Sequence, residues 1–383
     1  MGGAVRDLLL DIQPKDYDIA TDAKPEEVHK LFRNSRLIGR RFRLVHVLFG
    51  REVIEVATFR GHHADNSKHG HSEEGRIVRD NVYGTIEEDA IRRDFTMNAL
   101  FYDISNFEVL DYCQAVEDID AKQVRVIGDP ELRYKEDPVR MLRAIRLSVK
   151  LGLTIEPKSA EPIKKMSALL AEIPGARIWD ESHKLFLAGF GLDTFKALED
   201  YHLLATFLGM TETSLEQQDL CQPFIYAALE NTDKRIQSGK SINPAFLYTC
   251  FLWWPVLSQK ASYQEQGYSP AEAMQRAIAK VISNQVQQIS IPKRFTQFMR
   301  EVWLMQHRLE SRRGKHLLKL LEHPRFRAAY DFLVLRHQVG EINNDASKWW
   351  TDIQTAKPKD KEQMIHKLRP QRRKRPRKRK PSQ

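Results

Sequence analysis

The chain has 383 residues, 42% of them apolar and 29% charged; at about 150 residues per domain this allows two or three domains, and the composition excludes collagen-like, wholly disordered and membrane-embedded classes. Its longest apolar run, residues 246–252 followed by Trp253, Trp254 and Pro255, falls far short of the roughly 18 residues of a membrane span and reads as a core helix. The net charge of +10 is concentrated at the end, where ten basic residues and no acid follow from Lys367 onward, and the rest of the chain balances its charges.

Gly2 and Gly3 stand directly before a helical stretch, residues 5–10. Backbone N–H groups and the positive helix end at such a start receive phosphate, and Arg6 adds a forked, permanently charged donor; the alternative is a tight turn in which Arg6 pairs with Asp7. Asp16 and Asp18 then flank Tyr17 on a predicted strand, residues 16–21 (DYDIAT), where i and i+2 share a face. Two carboxylates so placed repel unless a cation joins them, and hard Mg²⁺ prefers oxygen ligands. A phosphate cradle followed by a carboxylate pair suits a nucleoside triphosphate site with metal, because nucleotidyl transfer needs charge neutralised on both attacking and leaving oxygens.

Residues 43–49 (RLVHVLF) and 52–59 (EVIEVATF) flank Gly50-Arg51 as a hairpin. Residues 61–84 are polar and aperiodic and read as a loop; its His62, His63, His69 and His71 lack an ordered metal-ligand spacing. Thr85 and Glu88 match the S/T-x-x-E capping box. Beyond Glu131 helical periodicity dominates. Asp137-Pro138 reads as an N-cap followed by Pro at the first helical position, with Val139, Leu142, Ile145, Leu147 and Val149 on a buried face that ends near Gly152. Further helices are expected near residues 158–172, 180–188, 193–199, 244–254, 270–282, 296–309 and 324–336. Mixed elements followed by helices alone predict an α+β protein: a head with a small mixed sheet over residues 1–120, a helical neck over 121–190, an all-α body over 191–355 and a disordered Arg/Lys-rich tail over 356–383. The tail's Arg372, Arg373, Lys374, Arg375, Arg377, Lys378, Arg379 and Lys380 suit a polyphosphate partner such as RNA. Cys113, Cys221 and Cys250 are widely spaced, supporting neither a disulfide framework nor a zinc ribbon. With no secretory pattern in the first residues, a cytoplasmic location is expected.

Four stretches, GGAVRD (2–7), KDYDIAT (15–21), EEDAIRRDFTMNALFYD (87–103) and YKEDPVRMLRAIR (134–146), resemble in order the head-domain motifs of the class II tRNA nucleotidyltransferase and bacterial poly(A) polymerase family of the polymerase beta superfamily. The resemblance covers roughly residues 2–190. It implies a nucleotidyltransferase head in which Asp16 and Asp18 hold two Mg²⁺ ions and, with Asp94, form the catalytic carboxylates. It further implies that Gly3 and Arg6 bind the triphosphate of ATP, that Arg93 contacts the nucleotide, and that Asp137 and Arg140, with Arg143 nearby, present hydrogen-bonding edges to the incoming base. Arg177 and Glu181 match the family's RxxxE element, read as a helix-stabilising ion pair. On the residues alone, Arg92-Arg93-Asp94 is equally a surface charge cluster, and Asp137 a cap beside an i,i+4 pair of Glu136 and Arg140.

Residues 37–47 (LIGRRFRLVHV) resemble the G-[RK]-[RK]-F-[RK] stretch of the poly(A) polymerases rather than the GTxxGT-like segment of CCA-adding enzymes. A basic tail also fits an enzyme that accepts varied RNA 3′ ends through sequence-independent phosphate attraction. The resemblance therefore implies template-independent adenylyl transfer from ATP to RNA 3′-hydroxyl ends by a monomer. CCA addition is the alternative within the family, and non-catalytic RNA binding the alternative outside it. The family pattern also has a short strand immediately before Gly2, where this sequence begins at Met1, so an exposed sheet edge and a loosened phosphate turn are expected.

Overall fold

A computed structural model of the chain describes residues 1–39, 43–61, 82–312, 317–342 and 345–368. Arg40, Arg41 and Phe42, the four loop histidines, and the tail cations from Arg372 to Lys380 lie outside the described residues. The chain divides into two compact units, Met1–Phe207 and Leu208–Gln383.

The first unit opens with α1 (Gly3–Leu9), β1 (Ile19–Thr21), α2 (Pro25–Leu31), β2 (Ser35–Ile38), β3 (Leu44–Phe49) and β4 (Glu52–Thr58). The expected hairpin forms: Phe49 stands opposite Glu52, and Gly50 between the strands has φ +61°, a conformation that glycine adopts without strain. β2 pairs antiparallel with β3 and β1 parallel with β4, giving the mixed order β1-β4-β3-β2. Val45, Val47 and Val56 from the sheet pack with Val28 of α2.

Asp16, Tyr17 and Asp18 do not lie on a strand, as alternation predicts; they form the segment leading into β1. The register explains this. Ile19 is opposite Val56, so one more pair would set Asp18 against Glu55, and like charges directly opposite destabilise a ladder. The carbonyl oxygen of Asp18 instead accepts from the Met1 nitrogen at 2.7 Å.

Next come α3 (Ile86–Ile91), a 3₁₀ turn at Thr96–Asn98, the hairpin β5 (Leu100–Asp103) and β6 (Glu108–Asp111), α4 (Ala115–Asp120) and β7 (Gln123–Val124). They are followed by α5 (Pro130–Glu136), α6 (Val139–Leu151), β8 (Thr154–Ile155), α7 (Pro157–Met166), α8 (Gly175–Phe186) and α9 (Gly191–Asp200). The capping box at α3 is reciprocal: the Thr85 hydroxyl accepts from the Glu88 N–H (3.3 Å) and the Glu88 carboxylate from the Thr85 N–H (2.8 Å). α6 starts one residue later than expected, with Asp137 closing α5 and Pro138 standing just before the first helical residue. It buries Val139, Met141, Leu142, Ala144, Ile145 and Leu147, packs on α8 and α9, and stops at Gly152 with φ +65°.

The second unit is helical. α10 (Ala205–Gln217) leaves helical geometry at Leu208 (φ −131°, ψ 36°), and α11 (Cys221–Gln237) follows; neither was expected, because apolar residues surround these segments without a sharp polar face. The expected helix over 244–254 is two, α12 (Pro244–Phe251) and α13 (Trp253–Glu265). Pro255 has no N–H to offer the carbonyl of Phe251, and the restart at Trp253 puts it in a first turn, where none is needed. α14 (Pro270–Gln288), α15 (Lys293–Ser311), α16 (Leu317–Leu321), α17 (Phe326–Gln338) and α18 (Ala346–Thr355) complete the bundle. The stretch expected as a disordered tail begins instead as α19 (Pro358–Lys367), none of whose residues is buried.

In this unit the ring of Phe332 meets Phe224 and Trp253 edge-on at 5.3 and 5.2 Å. Buried Arg336 is satisfied by Glu310, by Glu341 at 2.8 Å and by Gln306 at 3.2 Å, the partnering a buried charge requires. Cys250 is fully buried and Cys113, after β6, partly so. Among the described residues no helix is long and apolar enough to cross a membrane.

Two glycines close the base of the segment that leaves β4. The Gly61 N–H donates to Val82 O (2.8 Å) and the Gly84 N–H to Phe59 O (3.1 Å). A Cβ at Gly84 would lie 2.5 Å from Gly61 Cα and 2.1 Å from a Glu88 carboxylate oxygen, whereas one at Gly61 meets nothing closer than 3.2 Å. Gly84→Ala is therefore expected to cost about 1–3 kcal/mol of stability, read as a lower urea midpoint, and Gly61→Ala to cost less.

Candidate active site

The site is built on a chain of hydrogen bonds that begins at α1. The Arg6 guanidinium is buried and donates from Nε and Nη2 to Asp7 Oδ1 (2.8 and 2.5 Å) and from Nη1 to the Asn98 side-chain oxygen (2.6 Å). The Asn98 amide nitrogen donates to Asp94 Oδ1 (3.1 Å), which also receives the Phe95 N–H (2.9 Å). The other oxygen of Asp94 pairs with Arg143 Nη2 at 2.5 Å. Three pieces remote in sequence, α1, the 3₁₀ turn and α6, are thus joined by alternating charges.

Arg93 is held on the same scaffold: Nη2 reaches Asp89 at 2.8 Å, Nη1 reaches the backbone oxygen of Asn98 at 3.0 Å, and the guanidinium lies 4.9 Å over the Phe101 ring. Gly2, expected in the phosphate-receiving turn with Gly3 but not among the triphosphate contacts, is the glycine this geometry requires. Its φ is +62°, and an added Cβ would lie 2.8 Å from Arg93 Nη1 and 3.3 Å from Asn98 O. Gly3 is less constrained, its nearest contact being Arg6 at 3.4 Å. Asn98 was also missed; the only signal was a polar residue standing alone between Met97 and Ala99-Leu100.

The carboxylates differ in their surroundings. Burial alone would raise the Asp94 pKa, but Arg143, with the hydrogen bonds from Asn98 and Phe95, outweighs it and holds the carboxyl below its ordinary value. Asp18 is shifted the other way, raised first by burial and then by the neighbouring charge of Asp16. That repulsion fits a hard cation: a divalent ion beside Asp18 would relieve the opposition of the neighbouring carboxylate to its ionisation. No group of three or more His, Cys, Asp or Glu side chains is gathered for a metal among the described residues, and Asp94 is paired with Arg143.

At the α5–α6 turn Arg140 is buried, donating from Nη1 to Arg133 O (2.5 Å) and Glu136 (2.9 Å). Arg133 in turn pairs with Glu136 (2.7 Å) and reaches the backbone oxygens of Arg92 (2.7 Å) and Arg93 (2.5 Å). Asp137 uses one carboxylate oxygen for the Val139 N–H (3.3 Å) and the other for Arg177 Nη2 (2.7 Å). The ion pair expected between Arg177 and Glu181 is not formed; Glu181 binds Lys184 instead, at 2.8 Å. A cation N-terminal to an anion is the weaker order at i,i+4, and Arg177, in the first turn of α8, has Asp137 within reach. Arg143, Arg146 and Lys150, at i, i+3 and i+7 on α6, share one helix face. The Nε atoms of Arg143 and Arg146 are buried with no partner among the described residues.

A small mixed sheet with Asp16 and Asp18 in the segment entering β1, followed by helices, is the architecture of a nucleotidyltransferase. The Bacillus stearothermophilus CCA-adding enzyme, in its crystal complex with CTP, shares the fold at a TM-score of 0.55 and 24% identity, over 96% of this chain and 86% of that one. Family models for the poly A polymerase head domain, the probable RNA and SrmB-binding site of polymerase A and the polymerase A arginine-rich C-terminus match residues 1–125, 152–214 and 266–383. The sequence is 47% identical to poly(A) polymerase I of Escherichia coli O6:H1 over 100% of this chain and 85% of that protein. Identity to the CCA-adding enzyme of Lactobacillus helveticus is 38%, over 53% of this chain and 49% of that protein. The chain belongs to the poly(A) polymerase family of nucleotidyltransferases.

Because the folded-state pKa of Asp94 is depressed, its ion pair stabilises the fold above the unfolded carboxyl value of about 3.9 and that contribution is lost as pH falls through the folded value. Asn98→Ala removes one hydrogen bond from Asp94 and one from Arg6. It is expected to cost about 1–3 kcal/mol at pH 7, with the gap to the parent protein narrowing in acid; urea unfolding at about pH 7 and 3 measures both.

Proposed function

We propose that the chain transfers AMP from ATP to the 3′-hydroxyl of RNA without a template, building poly(A) ends that promote RNA processing and decay. The observation that carries this reading is the seam between turn and carboxylates: Met1, the residue before Gly2-Gly3, bonds the Asp18 carbonyl at 2.7 Å, so the glycine turn adjoins two aspartates whose charges oppose each other. In this reading Asp16 and Asp18 would hold two Mg²⁺ ions, which supply activation of the hydroxyl and neutralisation of the departing pyrophosphate. Gly3 and Arg6 bind the triphosphate. Since Asp7 already offsets the charge of Arg6 and Asp94 that of Arg143, further positive charge comes from Arg146 and Lys150 on α6. Asp94 orients Asn98 and Arg143 and remains ionised while it does so, and Arg93 is held rigid for contact with the nucleotide.

RNA is held by the tail cations, Arg372 to Lys380, as sequence-independent phosphate contacts. The enzyme works as a monomer in the cytoplasm. Poly(A) addition is favoured over CCA addition because full-length similarity runs to the poly(A) polymerases while similarity to a CCA-adding enzyme covers about half of each chain. Supplying labelled ATP with a generic RNA, and CTP with tRNA lacking its 3′ end, separates the two; incorporation confined to the second mixture would overturn the reading.

Asp16→Ala and Asp18→Ala are each expected to reduce adenylyl transfer below about a hundredth of the parent rate, since a lost metal ligand forfeits several kcal/mol in the transition state, while RNA affinity in a filter-binding assay is retained. For the tail, engagement of about six cations with single-stranded phosphates gives log K against log salt a slope near −4. Deleting residues 367–383 is expected to flatten that slope and raise the KM for RNA with kcat nearly unchanged, because the tail grips ground and transition states alike.

A further inference from the structure

One face of the hairpin formed by β5 and β6 is apolar and uncovered. Tyr102 stands directly opposite Val109, and Phe101 opposite Leu110; since successive side chains alternate across a strand, the two pairs face opposite ways. Phe101 is buried with Ala90, Ala99 and Ile127, and Leu110 packs against them. Tyr102 and Val109 are exposed, as are Ile104 (78%) and Phe107 (77%) in the connecting turn and Tyr112 just beyond β6. Large apolar groups gathered in the open mark an interaction site.

Phe107 is also held in an unfavourable conformation. It is the last residue of the turn before β6 and has φ +62°, the left-handed region that glycine or asparagine takes readily and a bulky aromatic does not. So exposed a ring recovers little of that cost by packing within the chain. Strain of this kind points to a use outside the fold.

The charge around this face selects what can dock. From Asp94 to Ala121 the sequence has no Lys, Arg or His, and residues 102–121 hold six acids, in a chain whose net charge is +10. Asp118 is buried and paired with Arg125 at 2.7 Å. Asp103 and Glu108, on either side of the turn, bond to the uncharged Ser105 and Asn106, and Glu117 and Asp120 are exposed. The phosphates of RNA or of an anionic lipid surface are repelled by such a field. Pairing this face with the same face of a second copy would set like charges against one another.

We infer that the open face of this hairpin docks another protein, through a segment that lays apolar side chains on Tyr102, Phe107 and Val109 and sets lysines or arginines against Asp103 and Glu108. Phe107 is the anchor of the contact, and the acids give it its selectivity for a basic partner. The surface goes beyond the adenylyl-transfer reading and uses none of the residues assigned to that chemistry.

The test uses the full chain, with an amphipathic leucine-lysine peptide as the probe in fluorescence anisotropy and hydrogen exchange to locate the contact; leucine-glutamate and serine-lysine peptides of the same length are the controls. The leucine-lysine peptide is expected to bind saturably and to slow exchange over residues 102–112, and the controls to do neither. Phe107→Gly removes the anchor and relieves the left-handed strain, so the urea midpoint should hold or rise while affinity falls by about tenfold or more, the effect of losing a central aromatic. Glu108→Lys should weaken binding and flatten its dependence on salt. Leu31→Ser, at an apolar residue of α2 that is 77% exposed, should change neither. Primer extension by Phe107→Gly should match the parent's; a parent that binds the peptide yet never extends RNA would overturn the adenylyl-transfer reading and support the docking surface. No saturable binding by the parent, equal binding of the leucine-glutamate peptide, or parent-like binding by Phe107→Gly would overturn the inference. Oligoadenylate that slows exchange in the hairpin where the leucine-lysine peptide does not would overturn it in favour of an RNA surface.

Discussion

The side chain of Asn98 is the joint on which the head depends. An amide offers an acceptor and a donor from the same planar group, and here the acceptor takes Arg6 at 2.6 Å while the donor reaches Asp94 at 3.1 Å. A carboxylate in this place could not donate to Asp94, and an amine could not accept from Arg6. The amide therefore sets the order of charges Asp7, Arg6, Asn98, Asp94, Arg143, in which every ion has an opposite or neutral neighbour. Its backbone oxygen holds Arg93 as well. Helix α1, the glycine turn before it and the basic face of α6 are located relative to one another through this single residue.

That order also explains why two kinds of aspartate coexist in one site. Asp94 has three donors within hydrogen-bonding range, the Arg143 guanidinium, the Phe95 N–H and the Asn98 amide, so its charge is consumed by the protein. Asp18 is raised by burial and by Asp16, against the smaller opposing pull of the Met1 ammonium and Arg93, so its charge is less fully compensated than that of Asp94. A site that keeps one carboxylate compensated and two in mutual opposition divides structural from chemical duty among residues of the same type. The arginines divide likewise: Arg6, Arg133 and Arg140 are buried and occupied, while Arg177 is half in solvent beside its partner.

Much of this was legible in the sequence where the determining contacts are local. The Gly50-Arg51 hairpin, the Thr85 cap and the Gly152 stop rest on neighbours within a few residues, and the change from mixed elements to helices alone shows in the hydrophobic period. The four motifs were legible through resemblance. Contacts between distant residues were not. Nothing in the vicinity of Asp94 points to Arg143, and Arg177 lies forty positions from Asp137, so a local i,i+4 partner seemed the natural one. The aspartate pair was put on a strand because alternation cannot register what stands across the ladder, in this case Glu55. Helices α10 and α11 escaped because period is visible only when one face is polar, and α19 because a helix that buries nothing leaves no apolar pattern to find.

The burial of Cys250 has a chemical corollary. Its thiol is pushed well up by desolvation, and since only the thiolate attacks electrophiles, this sulfur is inert to alkylating reagents for as long as the second unit stays folded. Cys113, in the first unit, is also raised by partial burial and by Asp111 beside it, yet it keeps some contact with solvent. Maleimide chemistry on the native protein is thus biased toward one unit, and the appearance of label at Cys250 becomes a clock for the opening of the helical unit alone.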